Sequence, residues 1–350
     1  MLEQQNQRIL FVSGLRSGRF RRFSRFWFCF LFLAVIFPAG LKAQTETLGG
    51  REVTATSPGI KAFSLGVAPV FQLGSKVNGG GSLSINHLYA SGGIVYQLTE
   101  KFGTGAGLFY NLSDFRFAGV NAIPLVDPWD TIVNYGVGIP FIFSATEHWQ
   151  FIVTPVGQFS GETGANWGSS LVYGGLASVT YNWGKGNFIG IGVAGFQYLA
   201  QSEIFPYVFM NWQITDRWRL STPLQASPAG PGGLKLSYDI TPHLEIGIAA
   251  AYRYNRFRLD KNGPIPNGIG QYSQLPVVAN LGYTFPFVNV DVYGGVAFNN
   301  SIWMENSTGD GIYRADQKPA PLVGFNITFG VDPTQFRAEP WQIRMYRGFF

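Results

Sequence analysis

Three groups of residues in this chain could carry chemistry. Gly190-Ile191-Gly192-Val193-Ala194-Gly195 matches by letter the glycine fingerprint that cradles a dinucleotide pyrophosphate. That chemistry needs a helix N-terminus directly after the glycines. Here Phe196-Gln197-Tyr198-Leu199 continues a strand pattern, so the glycines read as the small-residue face of a strand, like Gly103, Gly105 and Gly107. His87, in Ser84-Ile85-Asn86-His87, could act as the base for a serine nucleophile. One histidine among many serines does not specify such a site, and the chain reads as a non-enzyme. His148 and His243 fall in short polar breaks, no spacing resembles a metal site, and no cofactor is expected.

The third group is charged. Arg219, Lys235, Asp239, Glu245, Arg253 and Asp291 each alternate with apolar neighbours. A bare charge facing lipid costs about 2–4 kcal/mol at mid-membrane, so if those neighbours face a membrane the six charges face inward. Two readings then stand side by side. The charges form a constriction that selects solutes, or they form an ion-pair network that braces a wall, since both signs are present in near balance.

The elements that would position these residues follow from composition and period. Only 13% of the 350 residues are charged, about half the share usual in soluble domains. Aromatics make up 16% and glycines number 45, which excludes disorder. Beyond residue 43 no apolar run is long enough for a membrane helix. Period-two alternation is explicit: Leu244, Ile246, Ile248, Ala250, Tyr252 and Tyr254 alternate with Glu245, Gly247, Ala249, Ala251 and Arg253. The stretches 288–298 and 323–331 behave alike. The second face is small or polar, which suits a lumen better than bulk water.

Residues 1–43 read as a cleaved signal peptide, with Arg16, Arg19, Arg21, Arg22 and Arg25 before the apolar run from Phe26 to Phe37 and cleavage after Ala43. The other reading is an uncleaved anchor. Without this leader the chain holds 18 basic and 19 acidic residues, so its basic character is no sign of nucleic-acid binding. Cys29, the only cysteine, lies in the leader.

A turn recurs along the chain. Leu98-Thr99-Glu100-Lys101-Phe102 returns as Ala145-Thr146-Glu147-His148-Trp149, as Ile214-Thr215-Asp216-Arg217-Trp218 and, weaker, as Ile240-Thr241-Pro242-His243-Leu244. Breaks near 185 and 286 complete the set. Phe102, Trp149, Trp183, Phe188, Trp218, Phe285 and Phe287 abut these turns, as an interfacial aromatic girdle would. Between them lie longer connections at about 119–131, 160–168, 200–203, 226–232, 259–271 and 304–319. Seven hairpins from 62 to 331 give an antiparallel up-and-down transmembrane β-barrel of about 14 strands (12–16), with short periplasmic turns and longer outer loops. Residues 44–61 then form a short periplasmic segment. Residues 332–350 form either a periplasmic tail or, through 341–350, the closing strand. Pro140, Pro155, Pro206, Pro223 and Pro276 fall inside strand patterns and require bulges or revised boundaries.

The Thr-acid-base-aromatic turns and the strand rhythm over about 60–331 resemble bacterial outer-membrane β-barrel proteins, and among these an outer-membrane barrel family of unknown function. The resemblance implies export to the outer membrane of a Gram-negative-type bacterium, contact with its lipid, and handling by the barrel-assembly machinery. It implies no catalytic residue. Function is expected to be a channel or uptake pore for a small solute. The alternative is a non-transporting structural or surface-interaction barrel presenting loop residues such as Trp129 and Trp303. Long-chain fatty-acid transporters are also 14-stranded but carry an N-terminal hatch, for which residues 44–61 are too few.

Overall fold

The computed structural model describes residues 59–119, 128–184, 186–222 and 233–331. The expectations for the leader, for Pro223 and the connection at 226–232, and for residues 332–350 lie outside them. Alternating residues and tight turns give 14 strands. These are β1 Gly59–Lys76, β2 Ser82–Gln97, β3 Phe102–Ala118, β4 in two segments Thr131–Gly138 and Phe141–Ser144, β5 Trp149–Glu162, β6 Leu171–Gly184 and β7 Asn187–Tyr198. There follow β8 Gln201–Gln213, β9 Trp218–Ser221, β10 Leu234–Asp239, β11 in two segments Leu244–Ala250 and Arg253–Arg258, β12 Ile269–Thr284, β13 Val288–Glu305 and β14 in two segments Gly311–Gln317 and Ala320–Val331. Consecutive strands pair antiparallel, and β14 returns to β1 with Val331 opposite Phe63 and Leu322 opposite Gln72. The sheet is therefore a closed barrel. Among the described residues no helix is long and apolar enough to cross a membrane.

The repeated threonine has a local cause. Thr99 Oγ1 accepts from the Phe102 amide at 3.1 Å, Thr146 Oγ1 from Trp149 at 3.1 Å, Thr215 Oγ1 from Trp218 at 3.0 Å and Thr241 Oγ1 from Leu244 at 3.0 Å. Each hydroxyl thus satisfies the first amide of the next strand and fixes a tight reversal. Above these turns the outer surface is a belt of exposed apolar side chains, including Leu108, Val153, Ile191, Ile248, Val292 and Val323. Trp149, Trp183, Trp218, Phe285 and Phe287 are exposed at its lower edge, joined by Tyr181 and Tyr283 and by the half-buried Tyr238. Trp149 lies 4.9 Å from Tyr181, and Trp218 lies 5.0 Å from Tyr238, between ring centroids.

Phe188 does not belong to that girdle. Phe188 shares the parity of Gly190 and Gly192 along β7, and pairs with Asn182 and Asn211 on the inward face. It is buried there against Phe209, 6.2 Å away. Two connections are also shorter than expected. β7 reaches β8 through residues 199–200, with Leu199 at φ 60° as a tight reversal requires. β13 and β14 extend to a turn at 306–310 rather than leaving a loop at 304–319. Asn306 Oδ1 accepts there from the Thr308 and Asp310 amides. Hydrogen bonds from Asn306 and Thr308 hold the Asp310 carboxyl below the usual range.

The prolines sit where the ladder lacks a use for their missing N–H. Pro140 lies in the break of β4 and its carbonyl accepts from Gly105 at 3.2 Å. Pro155 stands opposite Gly175 on one side, while on the other its carbonyl accepts from Ile139 in that same break at 3.1 Å. Pro276 follows the register shift between Ser273 and Leu275. Pro206 pairs with Val193 without a shift.

Gly190 and Gly192 lie within β7, under rings from β8. A Cβ on Gly190 would fall 2.2 Å from Phe209 Cζ, and one on Gly192 would fall 2.5 Å from Tyr207 Cζ and 2.6 Å from the Ala177 carbonyl. These glycines exist to seat cross-strand aromatics. Gly192→Val should therefore lower the fraction of refolded protein that runs as a heat-modifiable, fast-migrating band, by about 1–3 kcal/mol of overpacking. Gly157→Ala, with nothing within 4 Å of the added carbon, should leave the band unchanged.

Candidate functional site: the barrel interior

Register arranges the inward side chains of β9 to β14 in rows. One row runs Gln213, Arg219, Ser237, Gly247, Asn280 and Tyr293. The next, nearer the short turns, runs Asp239, Glu245, Gly282, Asp291 and Asn326. A third, farther up, holds Lys235, Ala249 and Val278. Arg219 Nη2 donates to Asp239 Oδ2 at 3.3 Å and lies 4.0 Å from Glu245 by its other terminal nitrogen. Lys235 Nζ donates to Glu245 Oε1 at 2.5 Å. Asp291 accepts from two amides, Asn280 at 3.2 Å and Asn289 at 3.1 Å. The side chains of Arg219, Asp239, Lys235 and Glu245 are 29, 27, 22 and 20% exposed. These groups line space that water reaches.

Arg253 is placed differently from the other five. β10 and β11 remain paired only as far as Leu234 opposite Ala250. After Ala251 and Tyr252 the segment Arg253–Arg258 stays paired with β12, from Gln274 to Ile269, and its other edge has no ladder partner among the described residues of β10. Arg258 instead meets Gly161 of β5 in a parallel bridge. The outer half of β11 has therefore turned into the barrel and crosses its mouth. Arg253 donates to the Tyr89 hydroxyl of β2 and lies over its ring.

Hydrogen bonds fasten this segment to strands around the ring. Asn134 Nδ2 of β4 donates to Asn255 Oδ1 at 3.2 Å, and Ser160 Oγ of β5 donates to the Arg256 carbonyl at 2.7 Å. Tyr254 donates to Glu203 of β8 at 3.1 Å. Arg256 pairs with Glu305 of β13 at 2.5 Å, both buried. Arg258 donates to the carbonyls of Ser169 at 3.1 Å and Asn267 at 2.9 Å. Packed around it is a dry cluster of Leu83, Ile85, Phe115, Trp129, Phe257 and Met304 among others. Trp129 and Phe257 meet edge to face at 5.2 Å, and Phe115 meets Tyr272 at 5.6 Å.

Arg256, Arg258 and Glu305 were not singled out by sequence reasoning. The signal was present in Arg253-Tyr254-Asn255-Arg256-Phe257-Arg258, where arginines occupy both parities of one strand. A wall strand with one face in lipid has no place for that pattern.

The remaining candidates settle plainly. His87 Nδ1 and Ser113 Oγ are 2.8 Å apart, both buried, but His87 Nε2 has no partner and so no acid or amide orients the ring. Among the described residues no group of three or more His, Cys, Asp or Glu side chains could hold a metal. The stretch Gly190 to Gly195 is strand, with no helix after it.

Comparison with known proteins gives a family and a set of barrels. The sequence signature of the family described as "Domain of unknown function (DUF6268)" matches residues 128–332, and the chain belongs to that family. No curated protein matches. Similar solved structures include the COG4313 outer membrane channel from Pseudomonas putida F1, at 10% identity over 81% of this chain and 100% of that chain, TM-score 0.42. The toluene transporter TodX of P. putida is 10% identical over 79% of this chain and 91% of that chain, TM-score 0.38. A FadL homologue of Pseudomonas aeruginosa is 12% identical over 78% and 90%, TM-score 0.38.

The two ion pairs should differ sharply in unfolding experiments. Glu305→Ala strands a buried guanidinium and should lower stability by about 3–5 kcal/mol, whereas Arg256→Met with Glu305→Leu removes the pair whole and should recover most of it. Lys235→Met, in the part-exposed set, should cost about 1 kcal/mol or less. Urea midpoints of protein refolded into vesicles give the comparison.

Proposed function

We propose that this member of a family without an assigned activity is an outer-membrane channel for small solutes, captured with its outer mouth closed by its own β11. The carrying observation is the sequence of environments along the interior. The inner half of β9 to β13 presents part-exposed charges to water, and that wet space ends at a strand segment that has left the wall. Eight-stranded barrels are filled by side chains, and aqueous channels become the rule at about 16–18 strands. A barrel of 14 strands serving only as an anchor has no need of a wet interior, nor of a strand half that changes partners. The apolar belt and aromatic girdle support insertion among outer-membrane lipids after signal-peptide-dependent export, with delivery by the barrel-assembly machinery.

One observation favours the non-transporting alternative. A second dry cluster, containing Ala62, Val95, Ile142, Ile152, Phe188 and Phe209, fills part of the inner end on the β1 to β8 side. Planar-bilayer recording separates the two readings. The wild-type barrel should show rare, brief openings. Replacing Arg256, Arg258 and Glu305 together by serine removes the buried charged fastenings without leaving one of these charges unpaired, and should convert these to long-lived steps, at least tenfold higher in open time. A triple variant that keeps its heat-modifiable band yet stays silent would establish the structural barrel instead.

A further inference from the structure

We infer that Asp291 makes this barrel prefer cations and neutral solutes over anions. The inference rests on the channel reading and adds its selectivity. On the inner strand segments of β9 to β14 the described residues include five charges: Arg219, Lys235, Asp239, Glu245 and Asp291. Four of them compensate one another. Arg219 is held by Asp239 at 3.3 Å, and Lys235 by Glu245 at 2.5 Å, with Glu245 also 4.0 Å from Arg219. A pair at such distances presents a dipole to a passing ion, whose field decays faster than that of a single charge.

Asp291 is the remainder. No arginine or lysine among the described residues forms an ion pair with it. Its two oxygens accept instead from the neutral amides of Asn280 and Asn289. Those amides orient the carboxylate without cancelling its charge. The charge of Lys235 also reaches Asp291, but Lys235 is held by Glu245 at 2.5 Å, so two positive and three negative groups leave one net negative charge. The row in which it sits places Glu245 and Gly282 on one side and Asn326 on the other, so its strand neighbours in the register add no positive charge. A Cβ on Gly282 would lie 2.5 Å from Asp291 Oδ1. The glycine leaves room for the carboxylate to lie across β12. Its field therefore acts over the inner vestibule, within reach at the ~10 Å screening length of 0.1 M salt.

This part of the wall is also the part that stays. Opening the mouth displaces Arg253–Arg258, whereas Asp291 lies on the opposite side of Ala251 and Tyr252, in the continuous ladder from β10 to β14. The outer arginines thus leave the path when it opens, and the fixed inner charge remains to select.

The test is the reversal potential across a 0.1 M to 0.5 M KCl gradient, in the triple-serine variant that opens the mouth. That barrel should pass potassium severalfold more readily than chloride. Adding Asp291→Asn should bring the ratio close to one, and Asp291→Lys should invert it. Adding Lys235→Gln with Glu245→Gln, which deletes a compensated pair, should leave the cation preference in place. An Asp291→Asn channel with unchanged reversal potential would overturn the inference while leaving the channel reading intact. So would loss of selectivity on deleting the Lys235–Glu245 pair alone. If neither the triple-serine barrel nor any derivative conducts, although each keeps its heat-modifiable band, the channel reading fails and the inference with it.

Discussion

Every backbone amide and carbonyl of a wall immersed in hydrocarbon must find its partner inside the protein, because nothing outside can supply one. Closure between β14 and β1 meets that demand, with Phe63 to Gln72 paired against Val331 to Leu322. Much else follows from it. A ring with no edge fixes which parity faces lipid, so one slip of register would turn Ile246 and Ile248 inward and Glu245 outward. The irregular positions are tolerated only where their loss is matched. Pro155 has no amide to offer and faces the break of β4, where Pro140 also has none.

The same rule makes the outer half of β11 unusual. Beyond Ala250 its edge away from β12 has no ladder partner in the described part of β10, and its polar partners come from the interior, through Asn134, Ser160, Glu203 and Glu305. Most side-chain hydrogen bonds of this segment are made with elements it does not neighbour in sequence. That is why it was illegible beforehand. Alternation over 244–250 reads correctly because lipid on one side and lumen on the other impose period two. From Arg253 onward both sides of the segment face protein, and the period stops carrying information.

Elsewhere the sequence speaks clearly wherever a local interaction decides. The Thr99, Thr146, Thr215 and Thr241 turns could be read because a single hydroxyl caps the following strand, and the number of strands came from those turns. Phe188 was misjudged for the opposite reason. Its neighbourhood to the break at 184–186 suggested a girdle, but along β7 it has the inward parity of Gly190 and Gly192, while Ile189, Ile191 and Val193 face outward. The expected connection at 304–319 was lost to strand because Gly311, Tyr313 and Arg314 continue the pairing with β13 beyond the membrane belt. The charges at 219, 235, 239, 245 and 291 could be named from alternation, but their pairing could not. Only the stagger of adjacent strands sets Arg219 against Asp239 and leaves Asp291 beside amides.

The energetics of the mouth bear on how a solute would pass. Turning β11 back into the wall exposes Phe257 and Leu259, both almost wholly buried, at about 1.5–3 kcal/mol for each. It also separates Arg256 from Glu305. Against this stands whatever backbone pairing an open form would regain, with net hydrogen bonds of about 0.5–1.5 kcal/mol each. On the proposed channel reading, opposing terms of this kind would keep the mouth closed by default and the open form within reach of a bias. Shifting a two-state equilibrium from 1:99 to 99:1 takes about 5.5 kcal/mol of differential binding, which a small solute engaging the arginines and tyrosines of the mouth can supply in part. A passage that opens only as its solute arrives needs no separate plug domain. On the proposed reading, the strand segment that would complete the wall in the open state is the stopper in the closed one.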